Sequence, residues 1–256
     1  MNAVLAVARH QLRILKGDPG FLVIVILMPL AIMPIMRRSL AVNLEAVGFV
    51  GADGSEQVVP GQIVLFGFFA AGNASFSLFR EHGWHTWDRI RASAASPLAL
   101  LAGISLPWIV IHVFYQFTLL GAGWVFFGLR LNGGSAAALV LVSLAFSFTT
   151  VSLVMLSAAT FRTINQSQAL VNVGAMVFGG VGGALVPFEQ LPGWAQTIAP
   201  LTPHYWAMLG HRRIFLEAGR VADTAAPIAV LVAIGLVAAG LGAIRFRADE
   251  TKEFFA

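Results

Sequence analysis

Apolar residues dominate six stretches of the chain, at about 20–41, 61–79, 99–129, 136–161, 167–186 and 226–244. At 1.5 Å per residue such runs cross, or nearly cross, a hydrocarbon core of ~30 Å. The pattern predicts six transmembrane helices in an all-α polytopic membrane protein, organised as one domain over residues 1–256. The first run is the shortest: its uninterrupted part, 21–36, covers ~24 Å, so Arg37 and Arg38 are expected to snorkel to the interface. A cleaved leader is not expected, because both arginines precede the small residues Ser39 and Ala41 and the apolar run contains Pro29 and Pro34. The stretch 42–60, with Glu45, Asp53, Gly54 and Glu56, reads as a short loop.

Two segments have helical periodicity with one polar face. In residues 1–16, Val4, Leu5, Val7, Ala8, Leu12, Ile14 and Leu15 share a side, and Arg9, His10, Arg13 and Lys16 take the other. That is the pattern of a helix lying in the interface of an anionic leaflet. In residues 81–97, Trp84, Trp87, Ile90, Ala94 and Ala95 fall on one side. Glu81, His82, His85, Asp88, Arg89, Ser93 and Ser96 fall on the other, and only Arg91 intrudes on the apolar face. Tryptophan on the apolar side places this helix at the headgroup layer, with a charged face free to dock on a soluble partner. Residues 187–225 differ again. Pro187, Pro192, Gly193, Pro200 and Pro203 exclude a long helix, while Leu191, Trp194, Leu201, Tyr205 and Trp206 keep the stretch apolar. Short re-entrant helices at the opposite interface fit that mixture.

Composition narrows the picture. Hydrophobic residues make up 58% and charged residues 11% of 256, against roughly 25% charged in a soluble domain. The net charge of +4 is spread between apolar runs, which argues against nucleic-acid binding. With both termini on the cytoplasmic side, ten basic residues fall inside (Arg9, Arg13, Lys16, Arg80, Arg89, Arg91, Arg162, Arg245, Arg247, Lys252) and six outside (Arg37, Arg38, Arg130, Arg212, Arg213, Arg220). The bias follows the positive-inside rule and predicts a multi-pass membrane protein with cytoplasmic termini.

Catalytic signatures are sparse. Cysteine is absent, which removes thiolate ligands and Cys nucleophiles, and no Gly-Lys dipeptide exists to form a P-loop. Glu81, His82 and His85 lack the H-E-x-x-H order of zinc proteases, and no metal site is expected. Asn73, His112, Gln116 and Asn172 are polar groups at membrane depth. Such groups either line a substrate path or bond neighbouring helices.

The order of these parts resembles the ABC-2 type family, the permease subunits of ATP-binding-cassette exporters, with the daunorubicin and multidrug-resistance type nearest. Two stretches carry the likeness. One is Glu81-x-Gly83 followed by Arg89 and Ser96-Pro97-Leu98, similar to the family's cytoplasmic coupling segment. The other is Pro187, Leu191-Pro192-x-Trp194 and Leu201-Thr202-Pro203 with Tyr205 and Arg212, similar to its external segment before the last span. Arg80, where the family often has an acidic residue, together with Trp84, His204 and Trp206, departs from that pattern. The resemblance implies a transport subunit, not an enzyme, that forms the path for a lipophilic drug, antibiotic or lipid-like substrate. ATP and Mg would bind to a separate cytoplasmic ATPase dimer. That ATPase would contact Glu81, Gly83, Trp84, Trp87, Asp88, Arg89, Arg91, Ser96 and Pro97. A second permease copy, identical or paralogous, would complete the assembly among membrane lipids. Pro187, Leu191, Pro192, Trp194, Pro203 and Tyr205 would form an external gate. The alternative is an ATP-independent six-span transporter or an intramembrane enzyme.

Overall fold

The computed structural model describes residues 3–17, 20–84, 87, 96–131, 133–246 and 252–253. Nine α-helices are found among these residues. They are α1 (Ala3–Gly17), α2 (Gly20–Ala46), α3 (Ser55–Gly83), α4 (Pro97–Phe127), α5 (Ala136–Thr160), α6 (Ile164–Val181), α7 (Gly193–Ile198), α8 (Pro203–Phe215) and α9 (Ala225–Arg245). Single 3-10 turns at Phe188–Gln190 and Ala199–Leu201 flank α7.

Helices begin where the sequence offers an acceptor for the free first-turn N–H groups. The hydroxyls of Ser96, Ser135, Thr163 and Thr202 accept from the backbone N–H of Ala99, Ala138, Gln166 and Tyr205. Pro97 and Pro203 each follow such a cap, where a missing N–H costs nothing. Pro29, Pro34, Pro60 and Pro107 lie inside helices without ending them. In a packed apolar bundle neighbouring groups can compensate the lost backbone bond.

Among the described residues, five helices are long and apolar enough to cross a membrane: α2, α3, α4, α5 and α9. Helix α6 covers the fifth expected run but is shorter, and Asn165, Gln166, Gln168 and Asn172 dilute its hydropathy. Helix α3 is the axis of the bundle. Val59, Ile63, Ala74, Leu78 and Phe79 are buried in it, and α2, α4, α5, α6 and α8 all pack against it. Helix α9 lies along α5, and α1 lies along α4. The outer faces of α2 and α9 carry exposed Ile24, Leu27, Ile35, Leu236, Val237 and Ile244, as a hydrocarbon solvent allows.

The connection expected over 42–60 is shorter than the sequence pattern suggested. Helix α2 continues past Arg37 and Arg38 to Ala46, and α3 already starts at Ser55, so only residues 47–54 link them. Arg37 does not end its helix because it acquires a partner. Its Nη2 donates to Asp53 Oδ2 at 2.5 Å and its Nε to the Asp53 carbonyl at 3.3 Å. Asp53 Oδ1 in turn accepts from the Ser55 N–H at 2.8 Å. Burial alone would raise the Asp53 carboxyl, but the bonds from Ser55 and Arg37 outweigh it and hold the group below its usual range. Gly54 has φ +89°, and a Cβ there would lie 2.1 Å from the Arg37 carbonyl oxygen, so only glycine permits this turn.

Candidate functional site

At the end of the bundle that carries α1, α3 runs through Gly83. Glu81 therefore sits in the last turn of α3, not at the start of a new helix. The apolar face of α3 extends through Leu78 and Phe79, and α1 offers the carboxylate a partner. Glu81 is 1% exposed, and its Oε1 accepts from Gln11 Nε2 at 3.0 Å, with His10 Nε2 at 3.3 Å. Trp84 caps α3 through its N–H to the Arg80 carbonyl and is exposed, with the Arg80 guanidinium 5.1 Å above its ring. Trp87 turns inward, stacked on His82 at 4.5 Å and edge-on to Phe246 at 5.8 Å. The two tryptophans expected on one apolar face thus face different surroundings. Asp88, Arg89 and Arg91 lie outside the described residues, as does most of the helix expected between them. Ser96 and Pro97 form the entry to α4.

The sequence pattern did not show that the C-terminal tail returns to this place. Lys252 Nζ donates to the carbonyls of Ala159 and Phe161 at 3.3 and 2.8 Å and lies 5.6 Å from the Phe79 ring. Its backbone N–H reaches His82 Nδ1 at 3.4 Å. Glu253 bonds the backbone on either side of Thr163, through its N–H to the Arg162 carbonyl and its carbonyl to the Ile164 N–H. The cation thus meets carbonyls at the end of α5, where the helix dipole favours positive charge.

In the middle of the bundle two of the four polar groups come together. His112 and Gln116 are one turn apart on α4 and both buried. His112 Nδ1 is 2.9 Å from Ser147 Oγ and its Nε2 is 3.0 Å from the Gly67 carbonyl. Gln116 Nε2 donates to Ser147 Oγ at 2.7 Å and to the Ser143 carbonyl at 3.0 Å. These bonds join α3, α4 and α5. Asn73 instead turns back to the carbonyls of its own helix, Phe69 and Ala70. Asn172 is exposed on α6.

The opposite end carries the proline-rich segment. Pro187 opens the first 3-10 turn, Leu191 closes it, Pro192 precedes α7 and Pro203 begins α8. Trp194 is 65% exposed. Tyr205 packs between Phe188 at 5.0 Å and Trp206 at 5.2 Å, and the Trp206 indole N–H bonds the Pro200 carbonyl. Two contacts hold the approach to the segment, at Gly183 and Ala184, on α3. Gln57 Nε2 donates to the Gly183 carbonyl at 2.7 Å, and Gly61 lets the Ala184 carbonyl approach so closely that a Cβ would lie 2.1 Å from it. Arg212 pairs with Glu189 and with Glu217, and lies 5.0 Å over the Phe49 ring. A cavity beneath is lined by Leu44, Phe49, Gln57, Phe188, Tyr205 and Arg212. His204, unremarkable by pattern except as a departure in the motif, is fully buried among Phe68, Phe146 and Phe178.

Comparison with known proteins places these features. Residues 2–216 match the family model described as "ABC-2 type transporter". The linearmycin resistance permease protein LnrN of Bacillus subtilis (strain 168) is 31% identical over 200 residues, covering 76% of this chain and 51% of that protein. The chain thus spans about half the length of the curated relative it matches.

Proposed function

Because the chain belongs to the ABC-2 type transporter family, we propose that it is the transmembrane subunit of an ATP-driven exporter. The match over residues 2–216 carries this reading. Its cargo is a lipophilic drug, antibiotic or lipid-like molecule. The Bacillus relative is named for resistance to linearmycin, and an apolar bundle with few charged residues suits an apolar passenger. Two permease copies, identical or paralogous, work with a cytoplasmic ATPase dimer that binds ATP and Mg. In a bacterial plasma membrane the chain crosses six times, α6 included, with both termini in the cytoplasm.

In this reading the segment from Glu81 to Pro97 receives the ATPase. Glu81 and Gly83 end α3, Trp87 sets the segment against the bundle beside the exposed Trp84, and the ATPase contacts include Asp88, Arg89 and Arg91. A conformational change needs an agent with different affinity for two states, and ATP on the partner supplies it. Glu81 is well placed to pass the motion on, since it ties α3 to α1 through Gln11. Asn73, His112, Gln116 and Asn172 line the path, and Pro187, Leu191, Pro192, Trp194, Pro203 and Tyr205 form its outer gate.

The test is ATP hydrolysis and efflux in proteoliposomes containing the chain and its ATPase. Glu81→Lys and Arg89→Glu should lower substrate-stimulated hydrolysis while the permease still inserts. Parental hydrolysis and efflux in both variants, with normal copurification, would overturn the coupling assignment. Transport by the chain without any ATPase would favour the ATP-independent alternative.

A further inference from the structure

Helix α6 leans on α3 while α9 leans on α5, and a groove of about 410 Å³ opens between them. The volume falls in the range of small-molecule sites, ~300–1,000 Å³. Its walls are apolar, with Leu153 and Leu156 from α5, Leu170 and Val171 from α6, and Leu241 from α9. The inner end is closed by Phe68 and Phe178, which meet edge to face at 6.2 Å. The other end is different. There the lining contains Ser157, Thr160 and, in the last turn of α9, Arg245.

Arg245 is exposed and makes no ion pair or hydrogen bond among the described residues. The groove therefore combines an apolar slot with a guanidinium at its mouth that is unpaired among the described residues. Its length fits a leaflet: Leu170 to Phe178 spans about 12 Å of helix, against ~15 Å for half of a ~30 Å hydrocarbon core. A second groove on the other side of α9, lined by Val4, Leu101, Ser105, Ala239 and Ala243 among others, contains no charged residue. An apolar chain fits both, but only the first has a fixed countercharge for a headgroup.

We propose that the groove between α5, α6 and α9 is a binding site for one anionic phospholipid, with an acyl chain against Phe68 and Phe178 and its phosphate on Arg245. Gly174 has a part in this. It lines the groove, and a Cβ there would meet Phe178 and Phe68 only at 3.7–3.9 Å, so the missing side chain leaves the slot open without being required by close packing. The site needs only a bundle in a membrane and does not depend on the identity of the exported molecule.

The experiment is native mass spectrometry of the detergent-purified chain incubated with phosphatidylglycerol or phosphatidylcholine carrying the same acyl chains. The parent should retain one phosphatidylglycerol in preference to phosphatidylcholine. Arg245→Gln changes an exposed residue and should lower phosphatidylglycerol retention about five-fold, towards the phosphatidylcholine level. Arg245→Lys should keep the preference. Gly174→Leu places a good helix former in the slot and should abolish specific retention of both lipids. Undiminished phosphatidylglycerol preference in Arg245→Gln, or parental retention in Gly174→Leu, would overturn the proposal. A lipid-free dimer as the purified parent species would also overturn it, in favour of a second copy covering the groove.

Discussion

The carboxylate of Glu81 accepts a hydrogen bond from the Gln11 side chain at 3.0 Å, across 70 positions of sequence. Both side chains are buried, so the contact fixes α1 to the end of α3 in a medium where unpaired polar groups are costly. Removing one partner leaves the other with an unmet bond. Glu81→Ala should therefore destabilise the protein by about 1–3 kcal/mol. The check is a thermal unfolding midpoint in detergent, where the variant should melt several degrees below the parent. A conservative Glu81→Gln, which keeps an acceptor for Gln11, should recover much of the loss. Equal midpoints for Glu81→Ala and the parent would mean that α1 is held by its apolar face on α4 alone.

The polar cluster around Gln116 makes a second prediction of stability. Gln116→Leu keeps the volume but removes the Nε2 donor that joins α4 to Ser147 Oγ and to the Ser143 carbonyl on α5. The expected cost is about 1–3 kcal/mol, read as a lowered unfolding midpoint. Asn73→Leu should cost less, because Asn73 bonds only carbonyls of its own helix and joins it to no other. The ratio of the two effects tests whether the bonds joining α3, α4 and α5 hold the bundle together.

A third prediction concerns pH. Asp53 is held below the ordinary carboxylate range by Ser55 and Arg37. A depressed folded value means that its contribution is present above the unfolded value of ~3.9 and is lost as pH falls through the lower folded one. Acidification through that window should loosen the turn between α2 and α3. The parent should lose more thermal stability between neutral and strongly acid pH than Asp53→Asn, which has no charge to titrate. Parallel pH profiles would show that the Arg37 contact adds nothing to stability.

Topology is open to direct labelling, because the chain contains no cysteine. With the termini cytoplasmic, a thiol reagent that cannot cross the membrane should label Val50→Cys and Asp223→Cys in intact cells and should miss Arg162→Cys. All three positions are exposed. Labelling of Arg162→Cys from outside would reverse the orientation.

At the outer end, Trp194 is exposed at the start of the short helix α7. Aromatic residues of this kind anchor at the interface. Trp194→Asp should reduce efflux at equal expression, with membrane insertion unchanged. Normal efflux would remove Trp194 from the gate.

The positions of the helices were legible in the chain itself, for a local reason. A run of apolar residues must satisfy its own backbone when it leaves water, and only a helix does so within one segment. The hydroxyl and proline signals at 96–97, 135, 163 and 202–203 then set where helices start. The proline pattern of 187–203 likewise required short pieces, and α7, α8 and the 3-10 turns are those pieces. Where local rules were used for charged residues they misplaced boundaries. Read alone, Arg37 looks like the end of a helix and Glu81 like the start of one, yet α2 continues past Arg37, which Asp53 pairs, and Glu81 lies in the last turn of α3, where Gln11 meets it.

Tertiary structure alone decided which polar groups meet. Nothing in the spacing of His112 and Gln116 shows that Ser147 and the Gly67 carbonyl lie opposite them, or that Asn73 and Asn172 stand apart from the cluster. The return of Lys252 to the carbonyls of Ala159 and Phe161 is equally invisible, since a single lysine near a chain end carries no periodic signal. The groove at Arg245 belongs to the same class. It exists because α6 and α9 lean on different helices, and that choice depends on side-chain packing summed over the whole bundle rather than on any one segment.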